Sequence, residues 1–136
     1  MNKALRILIA DEQHFQRMRI ERLFNHLDYY CVAPVQDLAE LLTLVEYASV
    51  PFDLVVINTS LAGEGLDLPG FFLDNPQVRH VLIYGGEPAQ LPSMTTRGLQ
   101  KIHTSATALP DLPCIERLMA DVDPRLPFVG TVISVR

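Results

Sequence analysis

At 136 residues, 49% of them hydrophobic and 20% charged, the chain has the size and balance of one globular domain, long enough to bury roughly two-thirds of its unfolded surface. Its net charge of −5 argues against nucleic acid as a direct partner, and no apolar run approaches the roughly 18 residues needed to span a bilayer. Met1-Asn2-Lys3-Ala4 leads straight into a strand without the layout of a signal peptide, so a cytoplasmic location is expected. Cys31 and Cys114 are too few and too far apart for a disulfide framework or a metal knuckle, and both read as buried free thiols.

Apolar runs alternate with amphipathic stretches, the pattern of a parallel sheet covered by helices. The first strand is expected at about residues 5–10. A helix follows at about 13–27, with Phe15, Met18, Leu23, Phe24 and Leu27 near helical spacing. Arg17, Arg19 and Arg22 lie on that helix beside Glu21 and read as a solvated face. Tyr29–Val35 is a short β-rich run. Asp37 then has the chemistry of an N-cap for a helix carrying Leu38, Leu41, Leu42, Val45 and Ala48. Pro51 ends that helix, and Phe52–Ile57 forms the third strand. Val78–Tyr84 forms the fourth, closed by Gly85-Gly86.

Periodicity weakens from Glu87 to Gly98, where Pro88 and Pro92 allow only a short or irregular helix. A fifth strand is expected near Lys101–Ala106. Asp111 then precedes a last helix, in which Ile115, Leu118, Met119 and Val122 recur at helical spacing and Pro113 falls in the tolerant first turn. Residues 124–136 lie beyond this unit and read as a tail or the start of a linker. The Val, Thr and Ile of Phe128–Val135 suit an edge strand. Together with the proline-broken segment, that tail marks the last two strand–helix units as a contact surface, with self-association as its expected use.

In an open parallel sheet, chemistry gathers at the carboxyl ends of the strands. The first strand ends on Asp11-Glu12 and the third on Asn58, which places all three on one edge with Tyr84. The run Ile7-Leu8-Ile9-Ala10-Asp11-Glu12 and the run Asp53-Leu54-Val55-Val56-Ile57-Asn58, followed by Gly63-Glu64-Gly65-Leu66-Asp67, resemble the receiver domain of two-component response regulators. The likeness covers about residues 4–123, so residues 1–123 are read as one receiver-like domain. It implies a doubly wound, five-stranded parallel sheet of the flavodoxin-like kind and a role in signal transduction.

The likeness also marks what is missing. In receivers the residue at position 58 is the aspartate that takes a phosphoryl group, and here it is a neutral amide that cannot act as that nucleophile. A hydroxyl belongs after the fourth strand, where Tyr84 or Gly85 stands. A lysine–proline pair belongs after the fifth, where Thr107-Ala108 stands. Ala62 occupies the place of a proline in the loop after Asn58. Asp11 and Glu12 alone are left to hold Mg²⁺, a hard cation that wants oxygen ligands, so only weak binding is expected. The resemblance therefore implies a pseudo-receiver that is not an enzyme, carries no cofactor beyond weakly held Mg²⁺, and works through a protein partner, an output domain or a homodimer. The competing readings are a phosphoacceptor using Asp53 or Asp67, of which Asp53 should lie at the opposite edge, and a small α/β ligand-binding domain.

Overall fold

The computed structural model describes residues 4–62, 67–85, 101–105 and 109–123. They form β1 (Ile7–Ala10), α1 (His14–His26), β2 (Val32–Val35), α2 (Leu38–Glu46), β3 (Leu54–Asn58), α3 (Leu68–Leu73), β4 (Val81–Tyr84), β5 (Ile102–Ser105) and α4 (Leu112–Val122). All strand pairings are parallel, in the order β2-β1-β3-β4-β5. This is the parallel sheet that the alternating pattern predicts, in the flavodoxin-like, doubly wound order that the resemblance implies.

Both sheet faces are covered, so the central strands are apolar throughout rather than alternating. Ile7, Ile9, Leu54, Val56 and Leu82 face one way and pack with Ile20 and Phe24 of α1 and with Ile115, Leu118, Met119 and Val122 of α4. Leu8, Ala10, Val55, Ile57, Val81 and Ile83 face the other way and pack with Leu41 and Val45 of α2 and Leu68 and Phe72 of α3. Deleting a ring such as Phe24 or Phe72 from a layer of this kind costs about 3–5 kcal/mol.

Three of the four helices start on an aspartate. Asp37, Asp67 and Asp111 accept the backbone N–H of Glu40, Gly70 and Cys114 respectively, each worth about 1 kcal/mol. Helix α1 begins at Gln13 without a side-chain cap. Its free N–H at Gln13 donates instead to Oδ1 of Asp11 at 2.8 Å, which ties the helix start to the strand-end site.

Several expectations need correction. Phe15 and Met18 are 65% and 38% exposed, because the core-facing stripe of α1 runs through Ile20 and Phe24 instead. The second helix ends at Glu46 with Tyr47 as its C-cap, well before Pro51. Phe52 contributes only an isolated bridge to Val78 ahead of the β3 ladder. Cys31 is exposed and Cys114 half-buried, so neither is a core thiol, although burial pushes the Cys114 thiol up. Helix α3 lacked any signal in the periodic pattern, being six residues long with Pro69 and Gly70 inside it. The loop 63–66, the segment 86–100, Thr107 and the tail 124–136 lie outside the described residues.

Candidate functional site

Asp11 follows β1 directly, while Asn58 and Tyr84 end β3 and β4 and are register partners. The three share a strand parity with Ile9, Val56 and Leu82, so their side chains enter the same layer beneath α1. Asp11 is the one buried charged residue among the described residues, with no solvent exposure.

Four groups donate to its carboxylate. The backbone N–H of Gln13 reaches Oδ1 at 2.8 Å. The Gln16 side-chain amide reaches Oδ1 at 3.2 Å and Oδ2 at 3.1 Å. Asn58 Nδ2 donates to Oδ2 at 3.1 Å, and the Tyr84 hydroxyl donates to the same oxygen at 2.5 Å. Arg17 Nη1 donates to the Asp11 backbone carbonyl. A carboxylate is an acceptor with about four lone-pair sites, and here protein donors fill them.

The amide at position 58 has one orientation that satisfies its surroundings. Nδ2 faces Asp11, and Oδ1 accepts the backbone N–H of Ser60 at 2.9 Å, closing the turn that starts the short 3₁₀ segment Thr59–Leu61. A carboxylate could serve Ser60 but would meet Asp11 with another negative oxygen. The neutral amide is thus matched to its partner on both sides.

Gly85 explains why no side-chain hydroxyl follows β4. Its φ is +90°, and a Cβ there would come within 2.8 Å of Asn58 Oδ1, so any other residue would be both strained and crowded. Burial first, and then the hydrogen bond to Asp11 and its charge, push the Tyr84 phenol well above its ordinary value; the Asn58 side chain and, less, the charge of Arg17 oppose this.

This raised phenol sets a sign for alkaline stability. The unfolded chain releases the Tyr84 proton near pH 10.0, while the folded chain holds it. The contribution is therefore full below that pH and lost as pH climbs above it. Tyr84→Phe should cost about 1–2 kcal/mol near neutrality through the missing donor, and its alkaline limb should be shallower than that of the wild type. Urea melts at pH 7, 10 and 11 check both; parallel losses in the two proteins would remove Tyr84 from this role.

The arrangement does not suit a hard cation. The oxygens of Asp11 already accept from protein donors, Asn58 turns its nitrogen toward the site, and Glu12 is exposed and takes no part. Among the described residues no three His, Cys, Asp or Glu side chains come together as a metal-binding group. Of the switch positions, Tyr84 and Gly85 sit at this edge, and Thr107 lies outside the described residues.

Asp53 is at the opposite edge, as expected, where it accepts from the Arg6 backbone N–H at 2.8 Å and pairs with Arg79 at 3.2 Å. Asp67 serves as the α3 cap. Sequence reasoning missed Gln16 and Arg17. The latter was read as part of a solvated face, but it is half-buried and reaches back to the strand end. Position was the available signal: both lie in the first turn of α1, the helix that follows Asp11.

No protein-family model matches the chain, and no curated protein matches it. Two solved structures are similar. One is SdrG from Sphingomonas melonis Fr1, at 18% identity over 90% of this chain and 98% of that one, with a TM-score of 0.59. The other is a fusion carrying residues 181–211 of the trimeric coiled coil of yeast Spc42, at 21% identity over 97% of this chain and 91% of that one, with a TM-score of 0.54. At these identities the likeness is one of fold, and it agrees with the flavodoxin-like topology.

Proposed function

We propose that this chain is a receiver-type signalling module that takes no phosphate at position 58 and acts through protein contacts rather than catalysis. The observation that carries this reading is the saturation of Asp11 by Asn58, Tyr84 and Gln16. An aspartyl phosphoryl transfer needs a carboxylate nucleophile, a cation on the phosphoryl oxygens, and donors held ready for the product. At this edge the nucleophile is an amide, and the donors that would serve a phosphate are spent on a carboxylate instead. Cation-dependent chemistry has been exchanged for a fixed, cation-independent network. A module built this way presents one state of its surface to a partner, whether a signalling protein or an output domain.

The direct test is incubation of the full chain with acetyl phosphate or phosphoramidate and Mg²⁺, followed by intact-mass measurement. The expected spectrum is that of unmodified protein. A stoichiometric, hydroxylamine-labile adduct overturns the proposal. In parallel, calorimetric titration should show Mg²⁺ binding no tighter than millimolar, or about −4 kcal/mol.

A further inference from the structure

Away from the strand-end site, the molecule carries two surfaces of opposite character. On one face of the sheet, α1 presents an exposed stripe, whose Phe15, Arg19 and Arg22 border a cleft against residues 109–112. Phe15 is 65% exposed and Met18 38% exposed, and Arg19 and Arg22 are exposed beside them. Positions 15, 18, 19 and 22 share one side of a helix, turned away from the buried Ile20 and Phe24. Arg19 holds its guanidinium 5.7 Å from the centre of the Phe15 ring, so charge and apolar surface form one patch. Neither Arg19 nor Arg22 enters an ion pair among the described residues.

On the other face, α2 and α3 diverge to leave a groove of about 650 Å³. Leu42, Val45 and Phe71 line it, and the exposed carboxylates of Glu46 and Asp74 border it. The groove is apolar where the α1 stripe is apolar and acidic where that stripe is basic. Its long walls are α2 and α3, with Asn75, Pro76 and Gln77 closing one side, and a third helix can seat as a ridge between two others.

We propose that α1 of one molecule docks into the α2–α3 groove of a second copy. Phe15 and Met18 cover Leu42 and Phe71, and Arg19 and Arg22 face Glu46 and Asp74. The two halves lie on opposite faces of the sheet, so the contact is heterologous and each added copy offers a fresh groove and a fresh stripe. Such a contact extends head to tail instead of closing as a two-fold dimer. The patches are small and the chain is net negative, so association is weak and salt-sensitive. This surface is independent of the inert state of the Asp11 edge, and either idea survives failure of the other.

The test uses charge reversal on the full chain. Wild-type protein, measured by light scattering and sedimentation from micromolar to near-millimolar concentration at low salt, should exceed twice the monomer mass at the upper end. It should fall back toward monomer in high salt. Arg19→Glu with Arg22→Glu sets an acidic stripe against its own acidic groove, and Glu46→Lys with Asp74→Lys sets a basic groove against its own basic stripe; each variant alone should stay monomeric. Mixed together, the two should regain growth, because both stripe–groove pairs in the mixture are again of opposite charge. Circular dichroism melts that match the wild type establish that both variants fold. A wild type that is monomeric throughout overturns the proposal, as does association that survives both reversals or a mixture that does not pair.

Discussion

Replacing Asn58 by aspartate should destabilise the protein by about 3 kcal/mol at pH 7, although the exchange restores the residue a phosphoacceptor would need. The variant loses the Nδ2 donor that now sits 3.1 Å from Asp11 Oδ2, and a hydrogen bond to a charged group is worth about 1.5–3 kcal/mol. It also sets two carboxylates against each other. At roughly 4 Å and an effective dielectric near 20, that repulsion is about 4 kcal/mol before any relaxation. Repulsion is the larger of the two terms, and proton uptake by one acid relieves part of it.

The pH dependence follows from that relief. The penalty is full where both acids are ionised and shrinks as pH falls and one carboxyl takes a proton. The gap between wild type and variant should therefore be widest at neutral pH and narrow toward pH 4–5. A second carboxylate also recreates oxygen ligands for a hard cation. With a dissociation constant near 1 mM, 10 mM Mg²⁺ should return about 1.4 kcal/mol to the variant and almost nothing to the wild type. Urea melts at pH 5 and 7.5, with and without Mg²⁺, read all of this. Equal stability of the two proteins at pH 7.5, or equal stabilisation of both by Mg²⁺, would show that Asn58 and Asp11 are not coupled as described.

The sheet was legible because its strands are buried on both sides and so read as unbroken apolar runs between turn signals. Asp37 and Asp111 were legible for a related reason: a cap needs one residue type at one place. Helix α3 was not, since six residues containing Pro69 and Gly70 show no period, and its cap at Asp67 looked like loop chemistry.

At the site, chain order alone delivered Asp11, Asn58 and Tyr84 to one edge. What stayed hidden was the sign of their relationship. Asp11 and Glu12 looked like an adjacent acidic pair, but Asp11 keeps the inward parity of β1 while Glu12 lies in the bend beyond it and is exposed. Tyr84 looked like a misplaced switch residue. Counting the strand parity from Ile9, Val56 and Leu82 would have put its hydroxyl in the same layer as Asp11.

Asp11→Asn should cost about 3 kcal/mol, although from sequence alone the same change reads as nearly neutral, or even stabilising through relief of repulsion with Glu12. Burial reverses that expectation. Glu12 is exposed and contributes little across solvent, whereas Asp11 is wholly buried among donors. An asparagine at position 11 keeps one acceptor oxygen and turns an NH₂ group toward partners that also donate. Tyr84 can rotate its hydroxyl to accept from that NH₂, which limits the loss. Asn58 has no such escape, because flipping its amide would abandon the Ser60 N–H. The Gln16 amide and the Gln13 N–H, which hold the uncapped start of α1, then compete for one oxygen. The cost should therefore appear first as fraying of the first turn of α1, with faster amide hydrogen exchange there than in α4. Because Asp11 and Tyr84 share a hydrogen bond, the double variant Asp11→Asn with Tyr84→Phe should be more stable than the sum of the single losses predicts, by about 1 kcal/mol or more. Strict additivity in that cycle, or a stability of Asp11→Asn within about 0.5 kcal/mol of the wild type, would mean that the carboxylate is solvated in solution and the network does not hold the strand ends to α1.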